Sequence, residues 1–214
     1  SGTTLRLMTG ILAAQPFSCQ ITGDSSIQKR PMNRVAVPLG QMGAHITGSG
    51  SADKLLAPLT IRGQQLQGID YTLPVASAQV KSAILLAGLF AQGQTRVVEP
   101  EATRDHTERM LSAMGAKLTR TGQTITIDPV EELLAQDVAV PGDISSAAYF
   151  FVLAAARPGN QITVKNVGVN PTRTGILDVL TAMGADVQVE HERLLCGEPV
   201  ADVTVTGREL HGTV

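Results

Sequence analysis

Leu39-Gly40-Gln41-Met42-Gly43-Ala44, Leu111-Ser112-Ala113-Met114-Gly115-Ala116 and Leu180-Thr181-Ala182-Met183-Gly184-Ala185 are three versions of one ending. A helix that stops on Gly reads as a left-handed cap, so each string closes a helix and turns the chain toward a strand. The three methionines stand 72 and 69 residues apart. That period is longer than a solenoid or propeller repeat, and each copy is large enough to be a small α/β layer.

Working backwards from each ending gives a common order of elements. In the second copy Ile69 to Leu73 reads as a strand, Ser77 to Phe90 as a helix, Gln94 to Glu99 as a strand and Thr107 to Met114 as a helix. Strands Lys117 to Arg120 and Thr124 to Ile127 follow. The third copy repeats this with Val138 to Val140, Ser145 to Ala156, Gln161 to Asn166, Thr174 to Met183, Asp186 to Glu190 and Val203 to Thr206. Each unit is therefore βαβαββ, and the fold class is α/β (α+β) in tandem repeats.

The first copy supplies helix Leu5 to Ala14, strand Cys19 to Thr22 and helix Met32 to Met42, but no opening strand. At the far end, Val205 to Gly212 matches Ile61 to Gly68, the run that leads into the next repeat. The expectation is a piece of a longer array, divided at Val140-Pro141-Gly142-Asp143, where Pro and Gly interrupt the chain. Residues 1–140 hold most of two units, and residues 141–214 hold one unit of a second lobe. Limited proteolysis is expected to cut near Pro141 to Asp143 first.

Composition narrows the function. Seventeen basic against 19 acidic residues give a formal charge of −2, and no Lys/Arg run marks nucleic-acid or membrane-surface binding. The apolar run Ile84 to Ala91 is too short to span a bilayer, so the expected location is the cytoplasm. Aromatics make up 3% of the chain with no Trp, which argues against base-stacking platforms. Cys19 and Cys196 have no metal or redox spacing and read as packing residues.

Ser1-Gly2-Thr3-Thr4, Ser77-Ala78-Gln79 and Gly142-Asp143-Ile144-Ser145-Ser146 open the first helix of each copy. Free N–H groups and the positive end of the helix dipole suit a phosphate or carboxylate there, although an ordinary N-cap accounts for any one start. Arg6, Arg30 and Arg104 recur as isolated cations nearby. Arg30 precedes Pro31, which presets a helix start and aims the guanidinium from a rigid edge; a surface Arg is the alternative. His106, flanked by charges, reads as a solvated or capping residue and not as a general base.

Five strings taken in order extend the reading: Ser1-Gly2-Thr3-Thr4-Leu5-Arg6-Leu7-Met8; Thr22-Gly23-Asp24-Ser25-Ser26 through Lys29-Arg30-Pro31-Met32; Pro74 to Ala83 around Ser77-Ala78-Gln79; Thr103-Arg104-Asp105-His106-Thr107-Glu108; and Pro141-Gly142-Asp143-Ile144-Ser145-Ser146-Ala147. Together they resemble the 5-enolpyruvylshikimate-3-phosphate synthase family over the whole chain. The resemblance implies an inverse-barrel fold of two lobes, each of three βαβαββ units, of which this chain is an incomplete set.

It also implies transfer of the enolpyruvyl group of phosphoenolpyruvate to the 5-hydroxyl of shikimate 3-phosphate, with release of phosphate and with neither a metal nor an organic cofactor. By resemblance Ser77, Ala78, Gln79, Thr103 and Arg104 hold shikimate 3-phosphate, while Gly2, Arg30 and Gln79 contact phosphoenolpyruvate. Thr3, Arg6 and Asp143 support them. Ala78 and Thr103 each replace a frequent Ser, so Ala78 offers only its backbone N–H. Gly2 falls where the family's inhibitor glyphosate acts.

The family's remaining cations and its catalytic carboxylates have no counterpart here. The implied partners are the two substrates and the rest of the enzyme, with no nucleic acid or membrane, and the chain alone is expected to be inactive. A related transferase acting on UDP-N-acetylglucosamine carries a reactive Cys in the loop that corresponds to Asp24 to Arg30, where this sequence has none. A noncatalytic binding or structural module is the remaining alternative. Gln79→Ala is expected to weaken shikimate 3-phosphate binding more than Lys81→Ala.

Overall fold

The computed structural model describes residues 1–51 and 53–213, so Val214, the last residue of the expected second lobe, lies outside it. The chain divides into two compact units, Ser1–Leu134 and Ala135–Val214.

The first unit contains two copies of the repeat. Helix α1 (Gly2–Ala13), strand β1 (Ser18–Ile21), helices α2 (Ser25–Gln28) and α3 (Asn33–Gln41), and strands β2 (His45–Ser51) and β3 (Lys54–Arg62) form one. Strand β4 (Asp70–Thr72), helix α4 (Ala78–Gly88), β5 (Thr95–Val98), α5 (His106–Ala113), β6 (Leu118–Thr121) and β7 (Thr124–Ile127) form the other. The first sheet runs β1-β3-β2, all antiparallel. The second runs β4-β5-β7-β6, with β4 parallel to β5 and the remaining pairs antiparallel.

The second unit holds α6 (Ile144–Ala155), β8 (Gln161–Gly168), α7 (Gly175–Ala182), β9 (Asp186–Leu195) and β10 (Glu198–Thr206). Its sheet is antiparallel in the order β8-β10-β9. The strand expected at Val138 to Val140 does not form. Pro141 has no N–H to give a ladder, and the pairing shrinks to one parallel bridge between Gly142 and Val167. Helix α2, within the expected loop Asp24 to Arg30, is a single turn capped by the Asp24 carboxylate, which accepts from the N–H groups of Ser26 and Ile27.

The repeated ending is a Schellman cap in all three copies. Gly43, Gly115 and Gly184 have φ of 102°, 86° and 100°, a region in which a side chain is strained. The alanine after each glycine donates to the carbonyl of the leucine that opens the string, Ala44 to Leu39 at 2.9 Å, Ala116 to Leu111 at 2.9 Å and Ala185 to Leu180 at 3.0 Å. Those leucines are buried. A further regularity is invisible in the strings. Each cap methionine carbonyl accepts an N–H from the segment that leaves the same repeat's last strand: Gln67 to Met42, Leu134 to Met114 and His211 to Met183.

Helix α4 is the centre of the first unit. Val80, Ala83, Ile84, Leu85, Ala87 and Gly88 are all buried, so it carries apolar surface almost all round. Helix α1 lies against it so closely that a Cβ on Gly10 would stand 2.2 Å from the Ala83 carbonyl oxygen. The second unit has its own core, built from Ile144, Ala147, Phe151, Val167, Leu177, Leu180, Val203 and Val205.

Cys19 packs against the first core. Cys196 does not pack as expected. It has φ of 48° and forms with Gly197 the two-residue turn between β9 and β10, a place usually taken by Asn or Gly. Among the described residues no helix is long and apolar enough to cross a membrane. No group of three His, Cys, Asp or Glu is arranged to hold a metal ion among them either.

Replacing Gly10 by Ala is expected to destabilise the chain by about 2 kcal/mol, because the methyl must displace a backbone carbonyl. Gly40→Ala, in a helix with nothing within 4 Å of the added methyl, is expected to be neutral or to stabilise by roughly 0.5 kcal/mol. Denaturant titration of both variants measures the contrast.

Candidate anion-binding site

The close approach of α1 and α4 sets their starts side by side. Ser1 and Ser77 cap them, accepting from the N–H groups of Thr4 and Val80. The cap leaves the N–H groups of Ala78 and Gln79 with no acceptor among the described residues, as expected for the first turn of a helix. Gln79 joins the two starts. Its Oε1 accepts from Arg6 Nη1 at 2.7 Å, and its Nε2 donates to Thr3 Oγ1 at 2.7 Å. Arg has donors only, so Arg6 fixes which end of the amide faces it.

Arg6 also donates to the Pro31 carbonyl at 3.4 Å, which brings the Arg30-Pro31 corner to the same place. Gly2 makes room for it. A Cβ there would lie 3.1 Å from Arg30 Nη1 and 3.5 Å from Arg6 Nη1. Burial first, then the charges of Arg30 and Arg34, lower the Arg6 guanidinium below its ordinary value. No carboxylate lies within ion-pair distance of Arg6, Arg30 or Arg34 among the described residues. A concavity of about 310 Å³ opens here, lined by Arg6, Pro31, Arg34, Ser77, Gln79 and Val80. Two arginines in the lining, Arg30 beside them and free helix N–H groups, with no lining carboxylate, suit a small polyanion.

Lys81 leaves α4 on the side away from Gln79, since residues two apart on a helix do not share a face. It is fully buried. Its ammonium lies 3.2 Å from Glu99 and 2.6 Å from Glu108, and Arg120 reaches Glu99 at 2.7 Å. The four charges cancel. Burial pushes the Glu99 carboxyl up, but donation from Thr103 and the Lys81 charge outweigh it and hold it below its ordinary value. Thr103 gives both its N–H, at 3.3 Å, and its hydroxyl, at 2.6 Å, to one Glu99 oxygen. Thr107 also donates to Ser82 at 2.7 Å, tying α5 to α4.

Arg104, next to Thr103, is exposed and makes no ion pair among the described residues. His106 opens α5, half-buried, next to its N-cap residue Asp105. The third helix start departs from the expectation of three equivalent anion sites. The Asp143 carboxylate caps α6 by accepting from the N–H groups of Ser145 and Ser146, and Arg173 pairs with it at 2.8 Å. That start is already neutralised by its own side chains.

Residues missed by the sequence reading are Arg34, Lys81, Glu99, Glu108 and Arg120. Lys81 had a visible signal, a lone charge in an otherwise apolar helix that has to find a partner when buried. Arg34 had another, standing four residues beyond Arg30 at the head of the next helix.

A family profile described as EPSP synthase (3-phosphoshikimate 1-carboxyvinyltransferase) matches residues 1–211. The chain belongs to the EPSP synthase family. A 3-phosphoshikimate 1-carboxyvinyltransferase of Desulforudis audaxviator is 57% identical over 214 residues, covering 100% of this chain and 49% of that protein. One from Desulfitobacterium hafniense is 58% identical over 212 residues, covering 99% of this chain and 48% of that protein. The structure of EPSP synthase from Acinetobacter baumannii superimposes with a TM-score of 0.88 at 52% identity, covering 96% of this chain and 46% of that one. The chain thus spans about half the length of the EPSP synthases it matches. The nucleotide-sugar alternative is not favoured.

Two outcomes are expected. Gly2→Ala should weaken inorganic phosphate binding severalfold in a calorimetric titration by pushing Arg30 aside, while Gly175→Ala, with nothing within 4 Å, should leave it unchanged. Because the Glu99 carboxyl titrates lower when folded than when unfolded, its contribution is full above the ordinary carboxylate range and is lost as pH falls through the folded value. Glu99→Gln should therefore cost about 3 kcal/mol at pH 7 and show a shallower loss of stability on acidification below about pH 5. Denaturant titrations across that pH range check both.

Proposed function

We propose that this chain carries the shikimate 3-phosphate surface and part of the phosphoenolpyruvate surface of an enolpyruvyl transferase that releases phosphate and forms the enolpyruvyl ether at the 5-hydroxyl. The observation that carries this reading is the Gln79 amide bonded to both helix starts beside three arginines without a carboxylate. Ser77, Ala78 and Gln79 offer shikimate 3-phosphate a hydroxyl, free N–H groups and the positive end of α4, with Arg104 as an outer contact and Thr103 holding the backbone beside it. Gly2 lets Arg30 close on phosphoenolpyruvate, Gln79 touches both substrates, and Thr3 and Arg6 hold Gln79 in register. Asp143 acts as the cap of α6.

The charges bear on what the chain does alone. Each substrate carries one carboxylate and one phosphate, close to three negative charges, which Arg6, Arg30 and Arg34 offset for one molecule but not for two. Neither Asp nor Glu lines the concavity, so its own groups bind anions and move no proton to the methylene carbon. This chain is a binding surface, and turnover belongs to the remainder of the enzyme. In that reading its two units are parts of the two lobes.

Calorimetric titration of shikimate 3-phosphate into the chain, with a parallel phosphate-release assay after adding phosphoenolpyruvate, tests this. Binding without release is expected, weakened about tenfold or more by Gln79→Ala, since that change strips one ligand and frees Arg6 and Thr3. No uptake of shikimate 3-phosphate, or uptake indifferent to Gln79, would remove the assignment.

A further inference from the structure

The buried charges beside α4 need an account. Taking Lys81, Glu99 and Glu108 out of water, with Arg120 reaching in from the surface, costs more than their attraction returns unless the geometry is used, and well-packed apolar residues in place of such buried charges are often equally stable or more so. Here the geometry ends on a loop. Between β5 and α5 the chain has no regular structure, and Glu99 anchors it twice, once through its own N–H to the Gln123 carbonyl at 3.0 Å and once by receiving both donors of Thr103. Lys81 and Arg120 hold the Glu99 carboxylate from two other directions. The next residue after Thr103 is the unpaired, exposed Arg104.

Thr103 has a single hydroxyl proton and gives it to Glu99, so its side chain has none left for a phosphate oxygen. Its contribution to an anion site then runs through the backbone it fixes. We infer that Glu99 and Lys81 are positioning residues, which act through Thr103 to set where Arg104 presents its guanidinium to shikimate 3-phosphate. The inference rests on the shikimate 3-phosphate reading above. A charge anchor suits this task better than apolar packing because Glu99 fixes donors from three residues at set angles, whereas an apolar contact leaves the loop free to slide.

The test is a set of double-mutant cycles on the full chain, read by calorimetric titration of shikimate 3-phosphate. Glu99→Gln and Thr103→Val are each expected to weaken binding about tenfold, and Thr103→Ser to stay within about twofold of the unsubstituted chain. In an Arg104→Ala background both losses should shrink to less than about twofold, because the group being positioned is gone. A loss of merely structural origin would persist in that background, and this result would overturn the inference. So would an Arg104→Ala loss that neither Glu99→Gln nor Thr103→Val reproduces. If Glu99→Gln fails to fold, Thr103→Val leaves all four charges in place and carries the cycle by itself. An unsubstituted chain that takes up no shikimate 3-phosphate, or a Gln79→Ala variant that binds normally, marks failure of the underlying reading instead.

Discussion

Everything around the candidate site depends on one contact, the approach of Gly10 to the Ala83 carbonyl, which no side chain could occupy. A side chain at position 10 would push α1 off α4, and with it Arg6 and Thr3 away from Gln79. With the glycine at the crossing, the first turns of α1 and α4 come together, and Gln79 reaches Arg6 and Thr3 at 2.7 Å each. The two helix dipoles then point their positive ends into one small volume. A missing methyl group in the core thus sets the electrostatics of the surface.

Helix α4 separates two opposite electrostatic arrangements. On its Gln79 side, the charges of Arg30 and Arg34 act against that of Arg6 with no carboxylate within ion-pair distance among the described residues, a state that an anion relieves. On its Lys81 side, two cations and two carboxylates cancel within ion-pair distance and admit no ligand. The first arrangement is unstable without a partner and is exposed. The second is balanced, and three of its four charges are buried. An excess of one sign in a concavity marks binding, whereas a balanced cluster in the interior marks geometry.

The repeat and its order of elements were legible because the Leu-x-x-Met-Gly-Ala ending is a local device, whose two bonds and left-handed glycine lie within six residues. The helix starts were legible for the same reason. What failed depended on distant partners. Ser145, Ser146 and Asp143 look like an open anion site until Arg173, from the turn before α7, is seen to close it. Val138 to Val140 look like a strand until Pro141 removes the donor that would continue the ladder. The pairing of Lys81 was not legible because its partners Glu99 and Glu108 come from another strand end and another helix. Family resemblance supplied the site residues that pattern alone left open, although Arg34 and the charge cluster lay outside what it named.

The bond from each cap methionine carbonyl to the chain leaving the same repeat frees the hairpin in between from any fixed length. Strands β2 and β3 are seven and nine residues long, β6 and β7 four each, and β9 and β10 ten and nine, yet Met42, Met114 and Met183 all receive their N–H donor. Each hairpin is a loop of thread tied at its neck. Insertions and deletions within it alter its reach and leave the knot, and the helices packed behind it, where they were. An ancestor that duplicated this unit could lengthen one hairpin and trim another without renegotiating the helical core that carries the site.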